Sequence, residues 1–273
     1  MLLKKFLACL FFAAFLMSAQ TVSAIPVDVE LVLATDVSGS VDSTDFSLRR
    51  SGIETAFRDV DVINAITSGT IGSIAVSLWD FSNNVAVAVD WFHIFDSTSS
   101  NLFADAVSNA TRQFAGGNDG QSNLINNATT AFTNDNGFEG ARFVLDINSE
   151  GAQDINGCSF NDPVCITTQN ARDAFLAAGG SAINAIWMND RDFFGLDNND
   201  LINAFEYGTN NVIGGVGSFQ VFAETNTDFV TAIKSKLIRE IRPPEEVPEP
   251  GTLLLLGSGL AGLALYRRRM NKS

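Results

Sequence analysis

A single histidine, His93, stands in 273 residues, and this scarcity removes several catalytic classes at once. A serine hydrolase would need it as general base, and a zinc hydrolase would normally need more than one imidazole. His93 is flanked by Trp91, Phe92, Ile94 and Phe95 and reads instead as a packed or edge residue. Cysteine is nearly as rare. Cys9 belongs to an N-terminal apolar run, which leaves Cys158 and Cys165 in CSFNDPVC, with no further soft ligands nearby to build a metal site. In an oxidising compartment these two are expected to form a disulfide, and pairing removes a thiolate nucleophile. Basic residues are also few. Between Ile25 and Glu246 there are 11 Lys and Arg against 30 Asp and Glu, a net charge of −19. Such a surface repels nucleic acid and anionic lipid, so no nucleic-acid partner is expected. No enzymatic activity is expected either, and no internal repeat is present.

The two ends differ from the middle. Residues 1–24 carry Lys4 and Lys5, then an apolar core, then small residues at Val22 and Ala24, the pattern of a secretory signal peptide cleaved before Ile25. Residues 243–250 form a Pro/Glu linker ending in Pro248-Glu249-Pro250, and residues 251–273 hold an apolar stretch followed by Arg267, Arg268 and Arg269. The stretch from Gly251 to Tyr266 spans about 24 Å as a helix, short of a bilayer core of about 30 Å. It is a marginal membrane anchor whose arginines stay cytoplasmic, leaving the preceding chain outside. This end resembles the PEP-CTERM sorting signal of Gram-negative bacteria. The resemblance implies an exosortase-type processing enzyme as a partner, membrane contact through the C-terminal segment before processing, and a cell-envelope or extracellular destination, often rich in exopolysaccharide. A generic tail anchor is the alternative.

Residues 25–242 are long enough for one domain with a full core. Strand-like runs at 27–35, 71–81, 83–89, 141–148, 181–188 and 218–224 alternate with helical patterns. Phe46, Ile53, Phe57 and Val60 follow the first run, and Phe229, Ile233, Leu237 and Ile241 follow the last at i+4 spacing. The alternation predicts an α/β fold, doubly wound and Rossmann-like, with a mostly parallel sheet covered on both faces. The close spacing of 71–81 and 83–89 predicts one antiparallel edge strand. Ligands in such sheets bind at the carboxyl ends of the strands.

At the first of those ends LVLATDVSGSVD breaks from an apolar run into Asp36, Ser38 and Ser40. This D-x-S-x-S pattern resembles the metal-ion-dependent adhesion site of von Willebrand factor A domains. The resemblance implies a divalent cation, Mg²⁺ first, with Mn²⁺ or Ca²⁺ as alternatives, held by hard oxygen ligands. It also implies a hydroxyl in a glycine-rich loop opening a mid-domain helix, matched by Ser122 where the family usually has Thr. A final acidic residue is expected after the fourth strand, matched by Glu150 in Ser149-Glu150-Gly151, where the family usually has T-D-G. Glu150 is one methylene longer, with Asp146 and Asp154 as possible substitutes. The plain alternative for Asp36, Ser38 and Ser40 is a strand end and a cap for a helix starting near Ser43 or Thr44. A closer resemblance, carried by VDVELVLATDVSGSVD, ARFVLDINSEG, ARDAFLAAGGSAINAI, NNVIGGVGSF and DFVTAIKSKLIREI, is to a bacterial domain-of-unknown-function family of the von Willebrand A type. It implies the same fold and no settled activity.

Other motifs carry less. GSGLAG (257–262) fits G-x-G-x-x-G but lies in the tail without a strand–helix–strand unit. The glycines of IGGVGSF (213–219) suit close backbone packing or a turn. MNDRDFFGLDNNDL (188–201) lacks the closing glutamate of a calcium loop. The expected function is an exported binding or adhesion module that uses a divalent cation to engage an acidic group on an extracellular protein or polysaccharide. A structural matrix protein with a degenerate metal site is the alternative, and a metal-dependent hydrolase a more distant one.

Overall fold

The computed structural model describes residues 23–242 apart from 115, 161, 189–203 and 224–225. Residues 1–22 of the expected signal peptide, the C-terminal segment, GSGLAG and nearly all of MNDRDFFGLDNNDL lie outside the described residues.

The central strand explains the opening apolar run. β1, Ile25–Val27, is separated from β2, Val29–Asp36, by Asp28, whose carboxylate accepts the backbone N–H groups of Ile71 and Gly72 at 2.9 and 2.8 Å. The single strand predicted at 27–35 is therefore split by a side chain that ties it to the next turn. β2 is buried along its whole length, which is why its sequence shows no polar alternation. Leu31 and Leu33 enter one core while Val32 and Ala34 enter the other.

β2 pairs in parallel with β3, Ile74–Phe81, on one side, and with β6, Phe143–Ser149, on the other. β3 turns back into β4, Val85–Ile94, which is antiparallel and forms the sheet edge as expected. β4 runs five residues past the predicted end, because Asp90 and His93 sit on a half-exposed edge where polar side chains are tolerated. A short β5, Phe138–Gly140, pairs with β1 as a separate ribbon. Beyond β6 comes β7, Ala182–Met188, flanked by a two-residue antiparallel β8, Gly214–Gly215, and a parallel β9, Gln220–Ala223. Gly215 has φ of +96°, and a Cβ there would lie 2.1 Å from the Ser181 carbonyl oxygen, so the close-packing role expected for IGGVGSF holds.

Helices cover both faces. On one lie α1, Ser43–Arg58, α2, Val60–Thr67, α3, Ser97–Asn109, and the last helix α7, Asn226–Ile241, with Ile53, Phe57, Phe103, Phe229, Ile233 and Leu237 all in one core. On the other lie α4, Gln121–Thr133, and α5, Ile166–Ala177, with α6, Ala204–Tyr207, continuing as a π turn through Val212. Val60 was expected on the buried face of the first helix. It is 63% exposed instead, because Asp59 ends α1 and its carboxylate caps α2, restarting the helical phase.

The end of α7 is tied to the amino-terminal pole of the sheet. Arg142, just before β6, donates to the Glu240 carbonyl, and Arg242 donates to the Ala65 carbonyl at the end of α2.

Cys158 and Cys165 form a disulfide across the loop between β6 and α5. Closing so short a loop is worth about 2.5 kcal/mol in the chain-entropy account. Reduction, or a Cys158→Ser/Cys165→Ser variant, is expected to lower the unfolding free energy measured in urea by about that amount, with a lower midpoint. An unchanged midpoint would mean that Asn211, which accepts the Cys165 N–H at 2.7 Å, holds the loop without the covalent bond.

Candidate metal centre

Asp36 is the last residue of β2 and lies at the switch point where the chain has built β3 to one side and β6 to the other. Its side chain is fully buried and held by two donors. Oδ1 accepts the Ser38 N–H and Oδ2 accepts the Ser149 hydroxyl, both at 2.8 Å. The Ser38 and Ser40 hydroxyls converge at 3.2 Å. Arg112 fixes the backbone of this turn from below, its Nη2 donating to the carbonyls of Val37, Ser38 and Val41. The strand-end and helix-cap alternative for the two serines does not describe the cap, since α1 is capped by Asp42, which accepts from Thr44 and Asp45.

A second loop approaches from before α4. The Gly39 N–H donates to the Gly117 carbonyl at 2.8 Å and brings residues 116–120 against the Asp36 turn. The carboxyl carried in by this loop is Asp119. Its backbone N–H is held by Asp154 Oδ1 at 2.7 Å, and its side chain faces Asp36 and Ser38. Burial, with the negative charges of Asp36 and Asp154 added, pushes the Asp119 carboxyl well above the usual range. Its Oδ1 is buried and has no hydrogen-bond partner. Gly151 makes room for it, since a Cβ at that position would stand 2.4 Å from Asp119 Oδ2.

The side chains of the other two expected ligands, Ser122 and Glu150, have partners of their own. The Ser122 hydroxyl accepts from Asn156 at 3.1 Å and faces a cleft of about 330 Å³ shared with Asn123, Asn126 and Thr167. Gln121 is the α4 residue that reaches the end of β6, donating to the Gly151 carbonyl at 2.8 Å. Glu150 forms an ion pair with the nearly buried Arg49 at 2.6 Å, and Arg49 also donates to the Asp36 carbonyl oxygen. Asp146 is buried on the opposite face of β6 against Lys236, whereas Asp154 stays beside Asp119. The signal for Asp119 was present in GGNDG, a carboxylate between glycines, but the family pattern pointed past it to the next hydroxyl.

The donors that do meet are hard oxygens: one fixed carboxylate, two hydroxyls and a second carboxyl with an orphaned oxygen. Among the described residues no group of three or more His, Cys, Asp or Glu forms a candidate metal cluster. A magnesium-type site does not need one, since that ion is held by one or two carboxylates and keeps several waters. The chemistry of this donor set fits such an ion, which Asp36, Ser38, Ser40 and Asp119 would hold.

A model of the family described as "Protein of unknown function (DUF1194)" matches residues 26–245, and a model of the PEP-CTERM protein-sorting motif matches residues 246–269. No curated protein matches. Among solved structures, a von Willebrand factor type A protein from Catenulispora acidiphila is 12% identical with a TM-score of 0.53, covering 79% of this chain and 43% of that one. The pilus adhesin SpaC from Lactobacillus rhamnosus GG, in its open conformation, is 13% identical with a TM-score of 0.52, covering 80% and 31%. Proximal thread matrix protein 1 from the mussel byssus is 12% identical with a TM-score of 0.51, covering 78% and 47%. The chain spans less than half the length of each, and the likeness establishes a von Willebrand A-type fold.

Proposed function

We propose, from the premise that this chain belongs to the family described as "Protein of unknown function (DUF1194)", that it is an exported binding or adhesion module acting through a divalent cation. The observation that carries this reading is the convergence of Asp36, Ser38 and Ser40 with the orphaned buried oxygen of Asp119, at the strand ends where sheets of this kind take ligands. A bound Mg²⁺, Mn²⁺ or Ca²⁺ would supply the positive charge that an acidic group on a partner completes. The surrounding surface is strongly acidic, so it disfavours such a group everywhere except at the ion. The partner is accordingly an extracellular protein or an acidic polysaccharide of the envelope, and the module is not an enzyme. The PEP-CTERM motif indicates export and sorting to the envelope, and processing by an exosortase-type enzyme follows as part of the proposal.

One observation favours a second reading, a structural matrix protein with a degenerate site. Glu150, in the position of the family's last acidic residue, is paired with Arg49. The two readings separate in a binding assay on immobilised matrix proteins and acidic exopolysaccharides. The adhesion reading expects capture that EDTA abolishes and Mg²⁺ restores. Capture indifferent to EDTA and to Asp36→Asn would favour the matrix role.

A further inference from the structure

Away from the proposed cation site, beneath α7, three ionisable side chains meet without any access to water. Asp146 projects from the middle of β6, and Lys236 and Glu240 stand one turn apart on α7. All three side chains are fully buried. Lys236 Nζ lies 2.6 Å from Asp146 Oδ1 and 2.5 Å from Glu240 Oε1. Asn184, which neighbours Asp146 on β7, donates to Glu240 Oε1 at 2.9 Å and fixes its direction. Leu33 is the ladder neighbour of Asp146 on β2, Ile233 and Leu237 flank the lysine on α7, and the Arg142 guanidinium acts on Glu240 from the sheet's amino end.

As an ion cluster this arrangement is poorly resolved. Two carboxylates share one ammonium, so the full ionic form leaves a net negative charge in the core, at a desolvation cost of several kcal/mol per ion. The contact between Lys236 and Asp146 is also not a hydrogen bond. It meets the distance but lacks the alignment, and both Asp146 oxygens are without a hydrogen-bond partner. Burial, with the charge of Asp146 added, pushes the Glu240 carboxyl up to about 8, so it holds a proton at neutral pH. A low-dielectric site favours the neutral amine and neutral acid over their ions.

We propose that Lys236 and Asp146 condense into an intramolecular isopeptide bond, with Glu240 relaying the protons. Proton transfer within the cluster gives a neutral Lys236 amine and a protonated Asp146 carboxyl. The amine lone pair attacks Asp146 Cγ and forms the C–N bond. Glu240 gives its proton to the departing oxygen as the Cγ–O bond breaks, and takes one back from the nitrogen. One amide and one water result, Glu240 ends as it began, and no oxidant or reductant is involved. Fixed contact supplies the driving geometry, since oriented groups reach effective molarities on the order of 10⁵ M or more. The product removes both charges of the buried Lys236–Asp146 pair.

The test is a mass measurement on the purified full chain. With cysteines reduced and alkylated, trypsin is expected to leave Lys236 uncut and to release Ser235–Arg239 joined to Phe143–Arg172, lighter than the two peptides together by one water. This map is independent of processing at either end of the chain. Glu240→Gln, which keeps the size and the Asn184 contact, is expected to yield separate peptides cut after Lys236. Two unlinked peptides from the folded wild-type chain would overturn the proposal. A linked species lighter by one ammonia, with Asn184 as the partner, would also overturn the pairing. Linkage retained in Glu240→Gln would overturn the relay.

Discussion

Mg²⁺ is expected to raise the thermal midpoint of this protein, and Asp36→Asn to remove the rise while leaving the domain folded. At one hundred times its dissociation constant a ligand stabilises the native state by about 2.7 kcal/mol, about 5–10 °C for a domain of this size. Asparagine is the informative replacement. Its Oδ1 can still accept the Ser38 N–H, and its amide can donate to the Ser149 oxygen, so both native contacts survive with the charge gone. Asp119→Asn gives the matching result from the other loop. Removing a crowded carboxyl relieves its repulsion with Asp36 and Asp154, so the metal-free midpoint should rise as the response to Mg²⁺ falls. A flat titration with Mg²⁺, Mn²⁺ and Ca²⁺ alike would count against the cation and leave the matrix role standing.

Asp80→Ala is expected to cost about 3–5 kcal/mol in urea unfolding, because it strands a buried cation. Arg50 reaches from α1 under the sheet to pair with Asp80 on β3, and its side chain is only 6% exposed. Its guanidinium also lies 4.8 Å from the centroid of the Phe46 ring. Asp80 is completely buried and accepts the Gln113 N–H at 3.0 Å as well, so the alanine variant also leaves that loop donor unpaired. Removing both charges together, in Arg50→Met/Asp80→Leu, should recover most of the loss, since a buried ion pair and a well-packed apolar pair are close in free energy. A cost below about 1 kcal/mol for the single change would show that water reaches Arg50 once Asp80 is gone.

Much of the fold was legible because its strands are buried on both faces. VELVLATD, IAVSLWDF and AINAIWM are largely apolar with no polar alternation, which is the signature of an interior parallel strand. The Asp36 turn was legible for the same reason, as the abrupt end of such a run. Boundaries set by a single side chain were not. The breaks at Asp28 and Asp59 depend on which N–H groups a carboxylate captures, and nothing in the local hydrophobic pattern carries that information. The far half of the site was hidden for a related reason. The motif places Glu150 at the strand end, whereas its ion pair with Arg49, 101 residues earlier, arises only from the packing of α1. The place of Asp119 beside Asp36 comes from a loop crossing rather than from a spacing, so no motif carries it. Asp146 went the same way: one residue of strand phase turned it from the site to the opposite core, where Lys236 meets it.

The position of the last helix has a mechanical consequence. Asp36, Ser38 and Asp119 occupy the carboxyl pole of the sheet, whereas at the amino pole Arg142 holds the end of α7 and Arg242, just past it, is tied to α2. A partner gripping the first pole while the chain is pulled from Arg242 would stretch the domain along its strands. The parallel ladders joining β2, β6 and β7 would then be loaded in shear, with many backbone hydrogen bonds sharing the tension at once. Peeling would have to start at α7, and Lys236 sits where that helix meets the sheet.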